Sequence, residues 1–247
     1  MLLSLLLLVG LAACANQARQ QSLAGNHIHI GSAYLGTGQY NNALKELQEA
    51  EKLTPDDPRV HYLLGIAYHG KGLTDRAIAE FKSAIALKPD DSEVHNFLGV
   101  IYLERGRWDE AIASFNRALA NVLYDTPAAT LYNLGSAYYE KGLYDPALKH
   151  FQDAAVSDPY TVLMPLIEKG MGMAWFAKGD TQEAVRHFLK SIELAPSLAE
   201  SHYRLGLCYR RLNRHDAALT AFQAVIRLAP DSEFGRLSRE QIKAPTP

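Results

Sequence analysis

Nine histidines, two cysteines and several paired carboxylates are the residues of this 247-residue chain whose chemistry could amount to a site. Their spacing argues against one. His27, His61, His95 and His202 fall one or more whole repeating units apart. In stacked helical hairpins such copies stand about 8–10 Å from their neighbours, too far to share a metal ion. They are expected to pack between helices, and His27-Ile28-His29 is a ligand pair without a partner cluster. Asp56-Asp57 and Asp90-Asp91 stand at turns that open a helix, where a carboxylate satisfies free N–H groups. No nucleophile beside a base, no phosphate loop and no pair of catalytic carboxylates stands out. The reading is therefore a chain with no catalytic residue, no metal site, no cofactor and no small-molecule substrate. Cys208 sits where a small buried side chain fits, and with Cys14 committed elsewhere no internal disulfide is expected.

The elements that carry these residues follow from a repeat. Gly31, Gly65, Gly99, Gly135, Gly172 and Gly206 recur at separations of 34, 34, 36, 37 and 34, each inside an apolar stretch such as LGIAY or LGLCY. With this glycine counted as position eight of a unit, position eleven holds Tyr34, Tyr68, Tyr102, Tyr138, Trp175 and Tyr209. Position twenty is alanine in all six units, and position twenty-four is Leu47, Phe81, Phe115, Phe151, Phe188 and Phe222. Small residues at eight and twenty let two antiparallel helices approach, and the aromatic residues fill the space around that contact. Position fifteen is Gly38, Gly72, Gly106, Gly142, Gly179 and Asn213, the residue types that accept a left-handed conformation just past a helix C-terminus. A short turn and a second amphipathic helix follow, closed by Pro55, Pro89, Pro159, Pro196 or Pro230.

This pattern resembles the tetratricopeptide repeat, six times over, at residues 24–57, 58–91, 92–125, 128–161, 165–198 and 199–232. The resemblance implies an all-α, right-handed α-solenoid of helix-turn-helix units. Residues 233–247 are expected to form a polar capping helix, EFGRLSREQIK, and a short tail. The third unit breaks the rhythm: Leu123 stands where the closing proline is due, and the proline arrives only at Pro127. Two residues are thus added before the fourth unit and three more before the fifth, and these joints are expected to change the stacking angle and open the superhelix in its middle.

Composition fits a folded solenoid, with 48% hydrophobic and 21% charged residues and a formal net charge of -2. Near neutrality, with no basic stretch in a recognised motif, excludes nucleic acid as the expected partner. The first residues, MLLSLLLLVGLAAC, are too few to span a bilayer and end in small residues before a cysteine. They resemble a bacterial lipoprotein signal, residues 1–13, with Leu11-Ala12-Ala13-Cys14 as its lipobox. That resemblance implies acylation of Cys14, a tether over 14–23 and a membrane-anchored periplasmic protein. Ala15 in place of Asp implies the outer membrane.

The remaining function is binding. Positions five, nine and twelve of the first helices are expected to line a concave, largely apolar groove suited to a peptide with hydrophobic anchors. They supply Tyr62, Ile66, Asn96, Val100, Tyr132, Ser136, Tyr139, Met173 and Phe176, with Asn96 and the tyrosine hydroxyls able to bond a peptide backbone. From HNFLGVIY to AVSDP the chain resembles the central repeats of the type IV pilus biogenesis and stability lipoproteins, the pilotins of the pilus secretin. The residues that carry this are Asn96, Gly99, Ala118, Asn121, Tyr124, Thr126 and Pro127. The resemblance implies a protein partner, the secretin subunit, and a role in its outer-membrane localisation and oligomerisation. The alternative is a general periplasmic repeat lipoprotein serving other envelope machinery, such as cell-wall hydrolases or polysaccharide export. An acidic tail meeting the basic sixth unit, with Arg204, Arg210, Arg211 and Arg214, would favour the first reading, and broad peptide promiscuity the second.

Cys14→Ser is expected to move the protein out of the membrane fraction. Unchanged fractionation would count against the acylated anchor.

Overall fold

The computed structural model describes residues 2–243, with side chains from residue 16 onward. Cys14 and the terminal 244–247 therefore lie outside what is described of the side chains. Among the described residues there are thirteen helices and no strand. Residues up to Arg105 form one compact unit and residues from Gly106 a second. The first holds α1 (Leu2–Gly36), α2 (Tyr40–Leu53), α3 (Pro58–Gly70), α4 (Thr74–Leu87) and α5 (Ser92–Glu104). The second holds α6 (Trp108–Leu119), α7 (Pro127–Glu140), α8 (Tyr144–Ser157), α9 (Met164–Lys178), α10 (Thr181–Leu194), α11 (Ala199–Arg211), α12 (His215–Leu228) and α13 (Glu233–Lys243). Within each unit consecutive helices pack in antiparallel succession, as the repeat reading requires.

The helix ends are where the sequence places them. Gly38, Gly72, Gly106, Gly142, Gly179 and Asn213 all have positive φ, between 57° and 96°, so each first helix stops at position fifteen. Pro58 opens α3, and the Asp57 carboxylate accepts from the Arg59 N–H at 2.9 Å. Asp91 caps α5 through the Val94 N–H at 3.4 Å. The second acid of each pair is thus the cap. α1 begins well before the first repeat, and the polar stretch expected as a tether is helical, with residues 16–22 exposed and Ala24 the first buried side chain among those described. A helix rises about 1.5 Å per residue, so this stretch reaches less than half as far as an extended one. Among the described residues no helix is long and apolar enough to cross a membrane.

Within each unit the helical pairs close on the same contact. The alanines at position twenty and the aromatic or leucine side chains at twenty-four are almost wholly buried. Position eight faces them so closely that a Cβ on Gly65 would stand 2.6 Å from the Phe81 ring, and one on Gly206 2.6 Å from Phe222. Cys208 lies in the same layer, fully buried, and burial pushes its thiol up to about 12. It is a packing residue with no thiolate at neutral pH.

Neighbouring repeats are joined by a ladder at the turn edge. The base at position fourteen reaches position eighteen of the preceding unit: Lys71 donates to Asn41 Oδ1 at 2.5 Å and Arg105 pairs with Asp75 at 2.6 Å. Lys141 pairs with Asp109 and Lys178 with Asp145 in the same way, across the two joints that carry extra residues. The insertions leave this edge in register. They are absorbed at the opposite edge, in segments 120–126 and 158–163, where the Asn121 side chain accepts from the Leu123 N–H and Asp158 from the Tyr160 N–H. Val122, Leu123, Val156, Tyr160 and Val162 project there, 78% to 95% exposed, beyond any other large apolar side chain described. At the two joints themselves, the extra residues lengthen a loop and leave α6 packed on α7 and α8 on α9.

Gly65→Ala is expected to destabilise the protein by about 1–3 kcal/mol, because the added methyl meets the buried Phe81 ring. Gly25→Ala, where nothing lies within 4 Å, is expected to be neutral or to stabilise by up to about 1 kcal/mol. Thermal denaturation followed by circular dichroism separates the two.

Candidate functional site

First helices of adjacent repeats touch one another, α1 with α3 in the first unit and α7 with α9 and α9 with α11 in the second. Their exposed faces therefore form the inner wall of each unit. On α3 and α5 of the first unit, Tyr62, Ile66, Asn96 and Val100 are all half-buried. Tyr62 is wedged between the core ring of Phe81, 6.1 Å away, and Phe97, 5.6 Å away and edge-on. The Asn96 Oδ1 is enclosed without a hydrogen-bond partner.

In the second unit the predicted residues converge. Tyr132, Ser136 and Tyr139 from α7 and Met173 from α9 line one concavity of about 270 Å³, with Phe151 at its floor. Tyr139, Met173 and Phe176 continue it toward Leu207. Ser136 Oγ donates to the Tyr132 carbonyl at 3.0 Å, which leaves its remaining acceptor capacity to the groove. Burial pushes the Tyr139 hydroxyl up, so it is a neutral donor at physiological pH.

At the polar end of this concavity, Lys169 stands at position five, one of the groove positions, but its partner Glu200 was not picked out by the repeat pattern. Glu200 on α11 bonds Lys169 Nζ at 2.7 Å and Arg204 at 3.1 Å, all three side chains at most about a third exposed. Burial alone would push the Glu200 carboxyl up, but hydrogen bonds and the charges of Lys169 and Arg204 outweigh it and hold the group below its ordinary value. One carboxylate thus holds two cations in place beside the tyrosines. The signal was available: Lys169 occupies the position filled by Tyr62, Asn96 and Tyr132 in earlier units. Two further arginines of the sixth repeat are engaged within the chain. Arg210 bonds Gln241, and Arg211 lies 5.1 Å over the Phe176 ring and donates to its carbonyl at 3.2 Å.

The histidines do not come together. His61, His95 and His202 each donate Nε2–H to the proline carbonyl of the preceding joint, Pro55, Pro89 and Pro196, at 2.7 to 2.9 Å. His27 and His61 also meet the glutamate at position twenty-three of their own unit, Glu46 and Glu80, each at 2.8 Å. The fifth unit swaps the pair, with Glu168 on the first helix and His187 on the second, 2.7 Å apart. A hollow of about 870 Å³ lies between the helical extension of α1 at Asn16–Gln21 and the loop Leu53–Arg59. Its walls are mostly exposed polar side chains, and no aromatic anchor reaches it.

Models described as "Tetratricopeptide repeat" match residues 58–91, 90–155 and 170–233, and one described as "TPR repeat" matches 31–72. The solved structure of PilF from Pseudomonas aeruginosa is 18% identical, covers 90% of this chain and 99% of that one, and superposes with a TM-score of 0.77. PilW, a type IV pilus biogenesis factor, is 22% identical over 87% of this chain and 97% of that one, with a TM-score of 0.79. YrrB, a TPR protein with an unusual peptide-binding site, is 20% identical over 78% of this chain and 97% of that one, with a TM-score of 0.61. Among curated proteins, the probable UDP-N-acetylglucosamine–peptide N-acetylglucosaminyltransferase SPINDLY of Hordeum vulgare is 23% identical over 100 residues, 39% of this chain and 11% of that protein.

Glu200 sets a pH dependence. Its folded value is depressed, so the stability it contributes is fully present above the unfolded carboxylate value, about pH 4, and is lost as pH falls through the folded value. Glu200→Gln is expected to lower stability at neutral pH and to flatten the acid limb of the unfolding curve measured between about pH 6 and 3.

Proposed function

The chain belongs to the tetratricopeptide repeat family, and from that premise we propose that it is a non-enzymatic adaptor that binds secretin subunits of a type IV pilus. In this reading it is anchored in the outer membrane through acylated Cys14, faces the periplasm, and promotes localisation and oligomerisation of its client. The observation that carries the binding part is the inner wall of the second unit. Half-buried tyrosines and a methionine lie beside two cations fixed by one carboxylate, and this suits an extended segment with apolar anchors and an acceptor group at one end. The pilus part is supported by the fold shared with PilF and PilW over nearly the full length of those two chains. It is supported too by the resemblance at the Asn121–Pro127 joint.

The test is the level of heat- and detergent-resistant secretin oligomers in outer membranes after deletion and restoration of the gene. Loss of oligomers with monomers persisting, reversed by complementation, is the expected result. Normal oligomers would overturn the secretin reading and point to another envelope client. Within the restored protein, Ile66→Glu with Val100→Glu, or Met173→Glu alone, is expected to weaken partner binding at least tenfold with helicity retained, a loss of about 1.4 kcal/mol or more. Tyr62 is a poorer position for this test, because its ring is packed against Phe81 and Phe97.

A further inference from the structure

We propose that Glu51, His61 and Glu80, on α2, α3 and α4, bind a divalent transition-metal ion, with Zn²⁺ the ion of matching chemistry. The ligand atoms of the three side chains lie within 4.8 Å of one another, and all three residues are half-buried. The imidazole is already oriented. A carbonyl and a carboxylate can only accept, so His61 donates from Nε2 to Pro55 and from Nδ1 to Glu80 Oε2, each at 2.8 Å, and an incoming ion would take the place of the Nδ1 proton. A histidine whose second nitrogen is held by a backbone carbonyl is the arrangement that supports metal ligation.

Comparison among the repeats isolates what is peculiar to this place. The histidine and its proline carbonyl recur in the third and sixth units, so they alone indicate only packing. The first unit has the histidine-glutamate pair, His27 with Glu46, and no earlier repeat to supply a third group. Glu51 makes the difference. It stands at position twenty-eight, where the other five units have Ile85, Leu119, Ala155, Ile192 and Ile226. At a place filled by an apolar side chain in every other unit, the chain puts a half-buried carboxylate against a second carboxylate and an imidazole, so the single positive charge of a protonated His61 faces two negative ones.

With the Nδ1 proton displaced, two carboxylates and a neutral imidazole carry a charge of −2, matched by a divalent ion. Imidazole with carboxylate oxygens is a zinc donor set, and three protein ligands leave a fourth position for water. Bond lengths of about 2.0–2.2 Å require the ligand atoms to draw closer than they stand, within reach of the rotatable bonds of two glutamates. The ion would tie α2 of the first repeat to α3 and α4 of the second. It would therefore brace the helix that carries Tyr62 and Ile66 without itself lying in the groove.

The experiment is titration of the full-length chain, stripped with EDTA, with Zn²⁺ by calorimetry and with Co²⁺ by visible absorption. One ion per chain, a thermal midpoint raised by Zn²⁺, and affinity lowered at least tenfold by Glu51→Gln or Glu80→Gln are expected. Glu46→Gln, at the pair that lacks a third ligand, is expected to leave the affinity unchanged. No uptake, or uptake that survives both Glu51→Gln and Glu80→Gln, would overturn the assignment. The second outcome would place the ion elsewhere, for instance at His27 and His29.

Discussion

The structure depends on one steric constraint, the absence of a side chain at position eight of each first helix. A Cβ there would lie 2.6 to 2.8 Å from the ring of Phe81, Phe151, Phe188 or Phe222, or from Leu47 in the first pair. Such a contact is shorter than packed carbon atoms tolerate, so the two helices can approach only with glycine on one side and a flat ring on the other. Alanine at position twenty completes the approach. Once that separation is fixed, the turn at the left-handed position fifteen has a defined span. The next repeat then meets the same surface again, and the chain stacks instead of collapsing around one centre.

A frame fixed so locally leaves the remaining positions free to differ. Position four shows the range, with a histidine bridging to the preceding proline in three repeats, leucine in the fourth and a buried glutamate in the fifth. That glutamate, Glu168, is held below its ordinary value although burial pushes the other way, because His187 and Lys190 both bond it. The frame accepts a reversed ion pair at the same site. It likewise accepts two and three extra residues at successive joints, since the ladder at the far edge keeps Lys141 on Asp109 and Lys178 on Asp145.

The helices, their ends and their core were legible because each is set by a residue type recurring at one position. Glycine with positive φ, buried alanine and buried phenylalanine are enforced by sterics, and sterics does not depend on distant partners. Of the positions expected to line a groove, Tyr132, Ser136, Tyr139 and Met173 meet at one concavity in the second unit. Hidden in the pattern were the contacts between residues thirty or more apart, such as Lys169 with Glu200 or Arg105 with Asp75. Each partner alone looks like an ordinary solvated charge. Only by laying the charged residues of one unit against those of the next does the pairing of positions fourteen and eighteen emerge, and the apolar signal gives no reason to do so. The helical form of the stretch expected as a tether was hidden for a related reason: ANQARQQS has no apolar periodicity, yet it continues the helix that Ala24 and Gly31 anchor.

The polar end of the second groove has its own physical logic. Two cations side by side would repel one another and fold outward into water, and each would lose side-chain entropy on being captured. Glu200 removes both costs before any partner arrives, by fixing Lys169 and Arg204 in one orientation. An incoming acceptor then meets donors already in place, and the ordering cost at binding falls. The tyrosines beside them are rigid and large, so they supply contact area with few torsions to freeze. The inner wall of the second unit thus joins an apolar stretch to a charged end whose orientation is preset.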